Sequence, residues 1–329
     1  MRENVKRLPY RKYVSEYWRD FGKIAMSFLM LIALLIAGSI VSRGYSEMVN
    51  LLLRMKVASF VGILGMVQAT IIITGGGGID VSVGTMASLG ALFGASVMQG
   101  RNEMALPAML LAAAMGLVLG LINGYMIAYM QIHPLIQTLA MSYVITGIIV
   151  AYSQGKMLLG KPAPMIESLA NGKIGAWYVI ILIWMVLVML MELMLRHTKT
   201  GHKLLCVGAN DKAALLSGVN VQAFRMKVYG FSGLVSAVFG VILLGYVHTV
   251  YLDVGNQYMF PSVVACAIGG ISLAGGSGSY VGVFGGTLVY TFLQSFLVTI
   301  NMNEAWRKAF FGIILVVVLV IYARSNKER

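Results

Sequence analysis

Long apolar runs separated by short polar stretches dominate the chain, near residues 24–42, 57–73, 81–98, 105–130, 134–153, 175–195, 227–247, 260–274, 279–299 and 308–323. Most approach the roughly 20 residues an α-helix needs to cross a bilayer. The pattern predicts an all-α polytopic membrane protein of about ten transmembrane helices. The third, eighth and tenth runs are shorter or more polar, so eight- and nine-span arrangements stay open. Glycine-rich stretches interrupt the pattern at Gly75–Gly78 and Gly269–Gly278. They predict broken or re-entrant backbone, which the bilayer interior tolerates only where protein or a cavity surrounds it.

Composition supports the membrane reading: 59% of the 329 residues are hydrophobic and 11% charged, against about 25% charged in soluble domains. The net charge of +13 does not imply a nucleic-acid partner. Sixteen of the 25 basic residues fall in the N-terminal tail, in Arg196–Lys227 and in the tail from Arg324. An even number of spans places these three blocks together on the cytoplasmic side, where Lys and Arg accumulate and meet anionic membrane lipid. The expected organisation is a cytoplasmic tail over 1–23, a permease domain over 24–323 with a cytoplasmic loop at 196–227, and a cytoplasmic tail over 324–329. The first 23 residues, with seven basic and three acidic side chains, are too long and polar for a signal-peptide n-region. Cys206 and Cys266 have no metal-like spacing and read as packing residues; no metal site or catalytic residue is expected.

The segment Thr74–Gly84, TGGGGIDVSVG, sets a carboxylate between two apolar runs. A charge at membrane depth is costly, so it faces protein or water and marks function. Asp80 has two readings. It caps the helix that follows, assisted by Ser82, as a structural hinge beside the pathway; or it accepts hydrogen bonds from a polyhydroxy solute. Gln68, Asn123, Gln137, Thr138 and Gln294 are further mid-span polar residues. Each either bonds a neighbouring helix or lines the path. Gly116, Gly120 and Gly124, like Gly278, Gly282 and Gly286, repeat every four residues and predict close helix contacts. Asp80 follows the second span and Asp253 the seventh, on opposite sides of a ten-span model, which suggests an inverted repeat. His248 reads as a boundary partner of Asp253.

Within the polar loop, Asn210–Gly218 has good helix formers and ends on glycine, so it predicts a short helix capped by Asn210 or Asp211. Here the chain resembles the permease subunits of bacterial ATP-binding-cassette importers for simple sugars, the ribose, galactose and xylose permease family. GGIDVSVG at Gly77, Gly78 and onward to Gly84 is similar to that family's Gly-Gly-Ile-Asp-Leu-Ser-Val-Gly. Gly208, Asn210, Ala213, Ala214, Ser217 and Gly218 match its loop element. Gly269, Gly270, Gly275, Gly276 and Gly278 lie in its late glycine element, and HPLIQTLAM at His133–Met141 is a looser match. Two additional glycines before the first element, Gln137 and His133 depart from the pattern.

The resemblance implies a transport subunit and no enzyme. The sequence contains no phosphate-binding loop, so ATP and Mg would sit on a separate cytoplasmic ATPase and no cofactor on this chain. The 210–218 helix would fill a groove of that ATPase, with Asp211 and Lys212 making polar contacts and Ala213, Ala214 and Leu215 filling it. Other implied partners are an external solute-binding protein, meeting loops near 154–174 and 248–258, and a second copy or a homologous permease. The resemblance also implies the bacterial inner membrane, with both termini cytoplasmic. An ion-coupled secondary transporter, or a nucleoside or branched-chain amino acid permease of the same superfamily, is the alternative.

Overall fold

The computed structural model describes residues 10–154 and 161–327. Residues 1–9 of the expected tail, the loop stretch 155–160 with Lys156, and residues 328–329 of the C-terminal tail lie outside them. The helices are α1 (Tyr10–Val41), α2 (Met48–Ile73), α3 (Val83–Met98), α4 (Ala105–Ala128), α5 (Pro134–Ser153) and α6 (Pro164–Asn171), then α7 (Val179–His197), α8 (Lys199–Ala209) and α9 (Asp211–Leu216). The last four are α10 (Val221–Val247), α11 (Asn256–Ile268), α12 (Tyr280–Thr299) and α13 (Glu304–Lys327). A two-stranded hairpin, β1 (Lys173–Ile174) and β2 (Trp177–Tyr178), precedes α7.

Each of the ten apolar runs has its helix. Among the described residues seven helices are long and apolar enough to cross a membrane, and Val83–Met98 is a shorter apolar one. Of the three ambiguous runs, the third and eighth form the short helices α3 and α11, while the tenth forms the 24-residue α13. The two short helices follow loops that fold back into the bundle, at 74–82 and 248–255. The loops descend from opposite ends, and the helix starts meet: the Gly255 amide donates to Ser88 Oγ of α3 at 2.9 Å. A methyl group on Gly84 would stand 2.8 Å from Asn256 Cα.

The core is built on α10. Both predicted glycine ladders are contact surfaces. Methyl groups at Gly116, Gly120 and Gly124 of α4 would strike the α10 backbone at Gly233, Tyr229 and Met226. Gly90 of α3 meets Ala237, and Gly240 meets Ala87, in the same manner. In the second ladder Gly282 and Gly286 of α12 pack on the end of α11 at Gly269 and Ala265, while Gly278 lies in the preceding loop against Ile271 and Ile73. Small residues thus let backbones touch where lipid supplies no hydrophobic drive between helices. Cys266 is buried, with Sγ donating to the Gly65 carbonyl.

The bundle has two distinct ends. The loop end carries residues 198–220, the 74–82 loop, the 128–134 turn and the 269–279 segment. The hairpin end carries α6, the β-hairpin and the 248–255 loop. There His248 faces Glu167 at 3.7 Å, while Asp253 accepts from Asn256 at 2.7 Å. The expected His248–Asp253 pair is therefore replaced by two separate contacts, because α6, which the sequence pattern does not reveal, docks on the end of α10.

Candidate functional site

Gly75, Gly76 and Gly77 all have left-handed backbone, with φ of +79°, +70° and +70°. Three such residues in succession are open only to glycine. They turn the chain at the end of α2 and return it into the bundle, where it delivers Asp80. That residue is 2% exposed. Ser82 donates its amide, at 2.8 Å, and its hydroxyl to Oδ1, and Ser232 of α10 donates to Oδ2 at 2.9 Å. Ser232 lies 11 residues into α10, roughly 16 Å along its axis at 1.5 Å per residue. The carboxylate is thus deep in the bundle and its oxygens face hydroxyl and amide donors at the entrance to α3.

A shell of amides and hydroxyls surrounds it. Gln68 of α2, with its amide turned so that both groups are satisfied, accepts from Asp80 N at 3.0 Å and donates to Asp80 O at 3.3 Å. Asn123 of α4 donates to Ser82 Oγ at 3.1 Å, and Gln137 of α5 donates to Asn123 Oδ1 at 3.2 Å. Thr138 Oγ1 accepts from Val81 N at 3.1 Å. Six of the seven predicted pathway residues therefore form one connected knot that, with Ser232, ties α2, α4, α5 and α10 together at the start of α3. Gln294 stands apart: it is exposed on α12, beside Ser295, whose hydroxyl accepts from Arg54 Nε at 2.7 Å. The sequence reading missed Ser232, the knot's only hydroxyl from α10, because a serine in an apolar span carries no mark of the face it lies on.

At the loop end, three Asx or ST caps divide the 198–220 segment into helices. Thr198 Oγ1 accepts from Gly201 N, Asn210 Oδ1 from Ala213 N, and Asn220 Oδ1 from Ala223 N. Each leaves fewer orphan amides at a helix start. Asn210, one of the two predicted caps, is the one that serves α9. Gly218 ends that helix with φ of +81°, its amide and that of Val219 closing on Leu215 and Ala214; Ser217 Oγ donates to Ala213 O. The remaining cap candidate, Asp211, is held elsewhere. Arg225 of α10 donates to both its oxygens, at 2.7 and 2.8 Å.

The faces of α9 differ from the expected ones. Ala214 is 0% exposed and packs inward, so it does not fill a partner's groove. Asp211 is engaged within the chain, although its side chain stays about half exposed. Lys212 and Ala213 are exposed, and so is Leu215. Leu216, which the sequence reading passed over, is 89% exposed. Beneath the helix, Gly208 at the end of α8 is enclosed by Ile73, Gly75 and Gly276, and the Gly276 amide donates to Ile73 O at 2.9 Å. Gly275 and Gly276 thus meet Gly75 and Gly208 in one backbone-to-backbone node; Gly270 lies further along the same 269–279 segment. A cavity of about 700 Å3 opens beside the node, between Gly76, His133, Lys212, Leu215 and Arg225. Among the described residues no group of three or more His, Cys, Asp or Glu is placed to hold a metal.

A bundle of apolar helices with two re-entrant loops, a buried carboxylate knot and a capped helix standing off one end has the build of a membrane permease. Residues 50–319 match the family model described as the permease component of branched-chain amino acid transport systems, and the chain belongs to that family. It is similar to the ribose import permease protein of Escherichia coli, at 26% identity over 97% of this chain and 98% of that protein. It is also similar to the Bacillus subtilis ribose import permease protein, at 28% over 91% and 92%. The autoinducer 2 import system permease protein of Yersinia pseudotuberculosis is 27% identical over 92% of this chain and 84% of its own length. No solved structure matches the chain. The chain is a multi-pass membrane protein and the permease subunit of an ATP-binding-cassette importer, a transport subunit whose ATP hydrolysis lies in a partner.

Proposed function

We propose that this permease imports a simple sugar or a related furanose, by alternating access between two global states whose populations a partner ATPase biases. The relatives named for ribose and for autoinducer 2 import make those two solutes the first to assay. The observation that carries the reading is α9: a helix capped by Asn210, held inward through Ala214 and presenting Lys212, Ala213, Leu215 and Leu216 outward. Two neighbouring leucines exposed on a polar loop form an apolar patch of the kind that marks a contact with a partner. The loop end is then cytoplasmic, with both termini on that side, and ATP and Mg sit on the ATPase.

At the other end α6 and the 248–255 loop adjoin on one surface: Glu167 of α6 faces His248 at 3.7 Å, and Asn171 Nδ2 donates to Gly245 O of α10 at 2.7 Å. Met165, Ile174, Trp177 and Tyr251 are exposed on it, and an external solute-binding protein would dock there. A second permease copy or a homologous permease completes the assembly. The Asp80 knot supports a structural role for that carboxylate, with the solute path beside it, although it binds Ser82 and does not cap α3, which starts at Val83 without a side-chain cap.

Leu216→Glu and Ala213→Glu test the lever. Both side chains point away from the bundle, so the variants are expected to melt within about 1 °C of the parent, because exposed substitutions rarely cost more than about 0.5 kcal/mol. ATPase recovered with the tagged chain is expected to fall at least tenfold, and uptake with it. Full recovery of the ATPase together with normal uptake would remove α9 from the interface.

A further inference from the structure

The 225, 229 and 232 positions of α10 share one helical face, at spacings of four and three. Each touches the glycine loop at a different depth. Outermost, Arg225 grips Asp211 of α9 through both carboxylate oxygens, and its Nη2 donates to the Thr74 carbonyl at 3.4 Å. Its guanidinium lies over Gly76, where any Cβ would stand 3.1 Å from Nη2. One turn deeper the Tyr229 hydroxyl lies 3.2 Å from where a Cβ on Gly78 would be. Deeper still, Ser232 holds Asp80.

We propose that Arg225 is a positioning residue for transport: through Asp211 it locks α9 to the glycine loop, so that movement of the lever is delivered to Gly75–Gly78 and to the knot around Asp80. A bidentate guanidinium–carboxylate pair fixes both distance and orientation, which a single hydrogen bond or a lysine cannot. The one guanidinium thus touches both α9 and the start of the loop, so a displacement of α9 is passed to the loop through it. This inference rests on the importer reading above, and its test separates the two.

The assay uses the full chain assembled with its ATPase and reads the loop through a cysteine at His133, whose Nε2 would lie 3.9 Å from a Cβ on Gly77 across the cavity. In a C206A background, H133C is labelled with N-ethylmaleimide with and without ATP plus vanadate. The unsubstituted pair is expected to show a labelling rate that changes at least threefold with nucleotide. R225A and D211A are expected to retain the ATPase and its hydrolysis but to lose that change. The swap D211R/R225D is expected to recover at least half of it, and R225K to recover less. A nucleotide response that persists in R225A overturns the proposal, as does a swap that restores nothing. D211A that sheds the ATPase while R225A keeps it would put Asp211 in the partner's groove and overturn it too. Failure of the unsubstituted chain to bind any ATPase would instead overturn the importer reading itself.

Discussion

Asp80→Ala is expected to unfold at a markedly lower temperature than the parent and to abolish uptake. The variant removes the acceptor of three hydrogen bonds, two from Ser82 and one from Ser232. Hydrogen bonds to a charged acceptor are worth about 1.5–3 kcal/mol each, and the donors left behind, on Ser82 and Ser232, are buried. The expected loss is on the order of 3–5 kcal/mol, short of a full sum because the donors act as one network. Asp80→Asn keeps the volume and one acceptor oxygen, and can donate to Ser232, so its loss is expected to be less than half as large. Thermal melting of the detergent-extracted chain, paired with uptake, checks this and separates the two roles of the carboxylate. An Asp80→Asn variant that melts like the parent but transports nothing at saturating solute would point to direct solute contact. Unchanged melting and uptake in Asp80→Ala would dissolve the knot as an organising element.

Gly208→Ala is expected to be nearly as damaging, although it adds a single methyl near the end of a short helix. That carbon would collide with the Ile73 carbonyl and the Gly276 amide. Overpacking typically costs about 1–3 kcal/mol where side chains can repack. Here the obstacles are backbone atoms of two other segments, so the cost is expected at or above the top of that range. Gly147→Ala in α5, where nothing lies within 4 Å, is the control and is expected to melt like the parent. If Gly208→Ala matched that control, the three-way backbone node would be wrong.

Much of this was legible in the sequence, for identifiable reasons. The spans could be read because an apolar run of membrane length rarely forms anything but a membrane helix. Of the three runs that read ambiguously, the third and eighth became the two short helices α3 and α11, and the tenth the 24-residue α13. Gln68, Asn123, Gln137 and Thr138 were legible as amides and a hydroxyl at depths where polar groups must find partners, but their joining around Asp80 was not. Gln294 obeyed the same rule and yet faces outward, because polarity marks a position and not a direction. Ser232, Arg225 and Tyr229 went unread: a serine is unremarked in a span, and Arg225 was counted only as one of six basic residues in its block. The spacing of four and three between them was the available signal. The faces of α9 were beyond reach, since six residues complete fewer than two turns and no periodicity can tell Ala214 from Leu216. The hairpin end hid for a like reason, as strands of two residues carry no alternation.

The central claim is that this permease is driven by an ATPase seated on α9. Gentle detergent extraction of the tagged chain, followed by mass spectrometry of what copurifies, tests it most directly. An ATP-binding-cassette subunit in stoichiometric amount, lost on Leu216→Glu, is the expected result. Recovery of the chain alone, with uptake of ribose or autoinducer 2 sustained by an ion gradient in ATP-depleted vesicles, would contradict it.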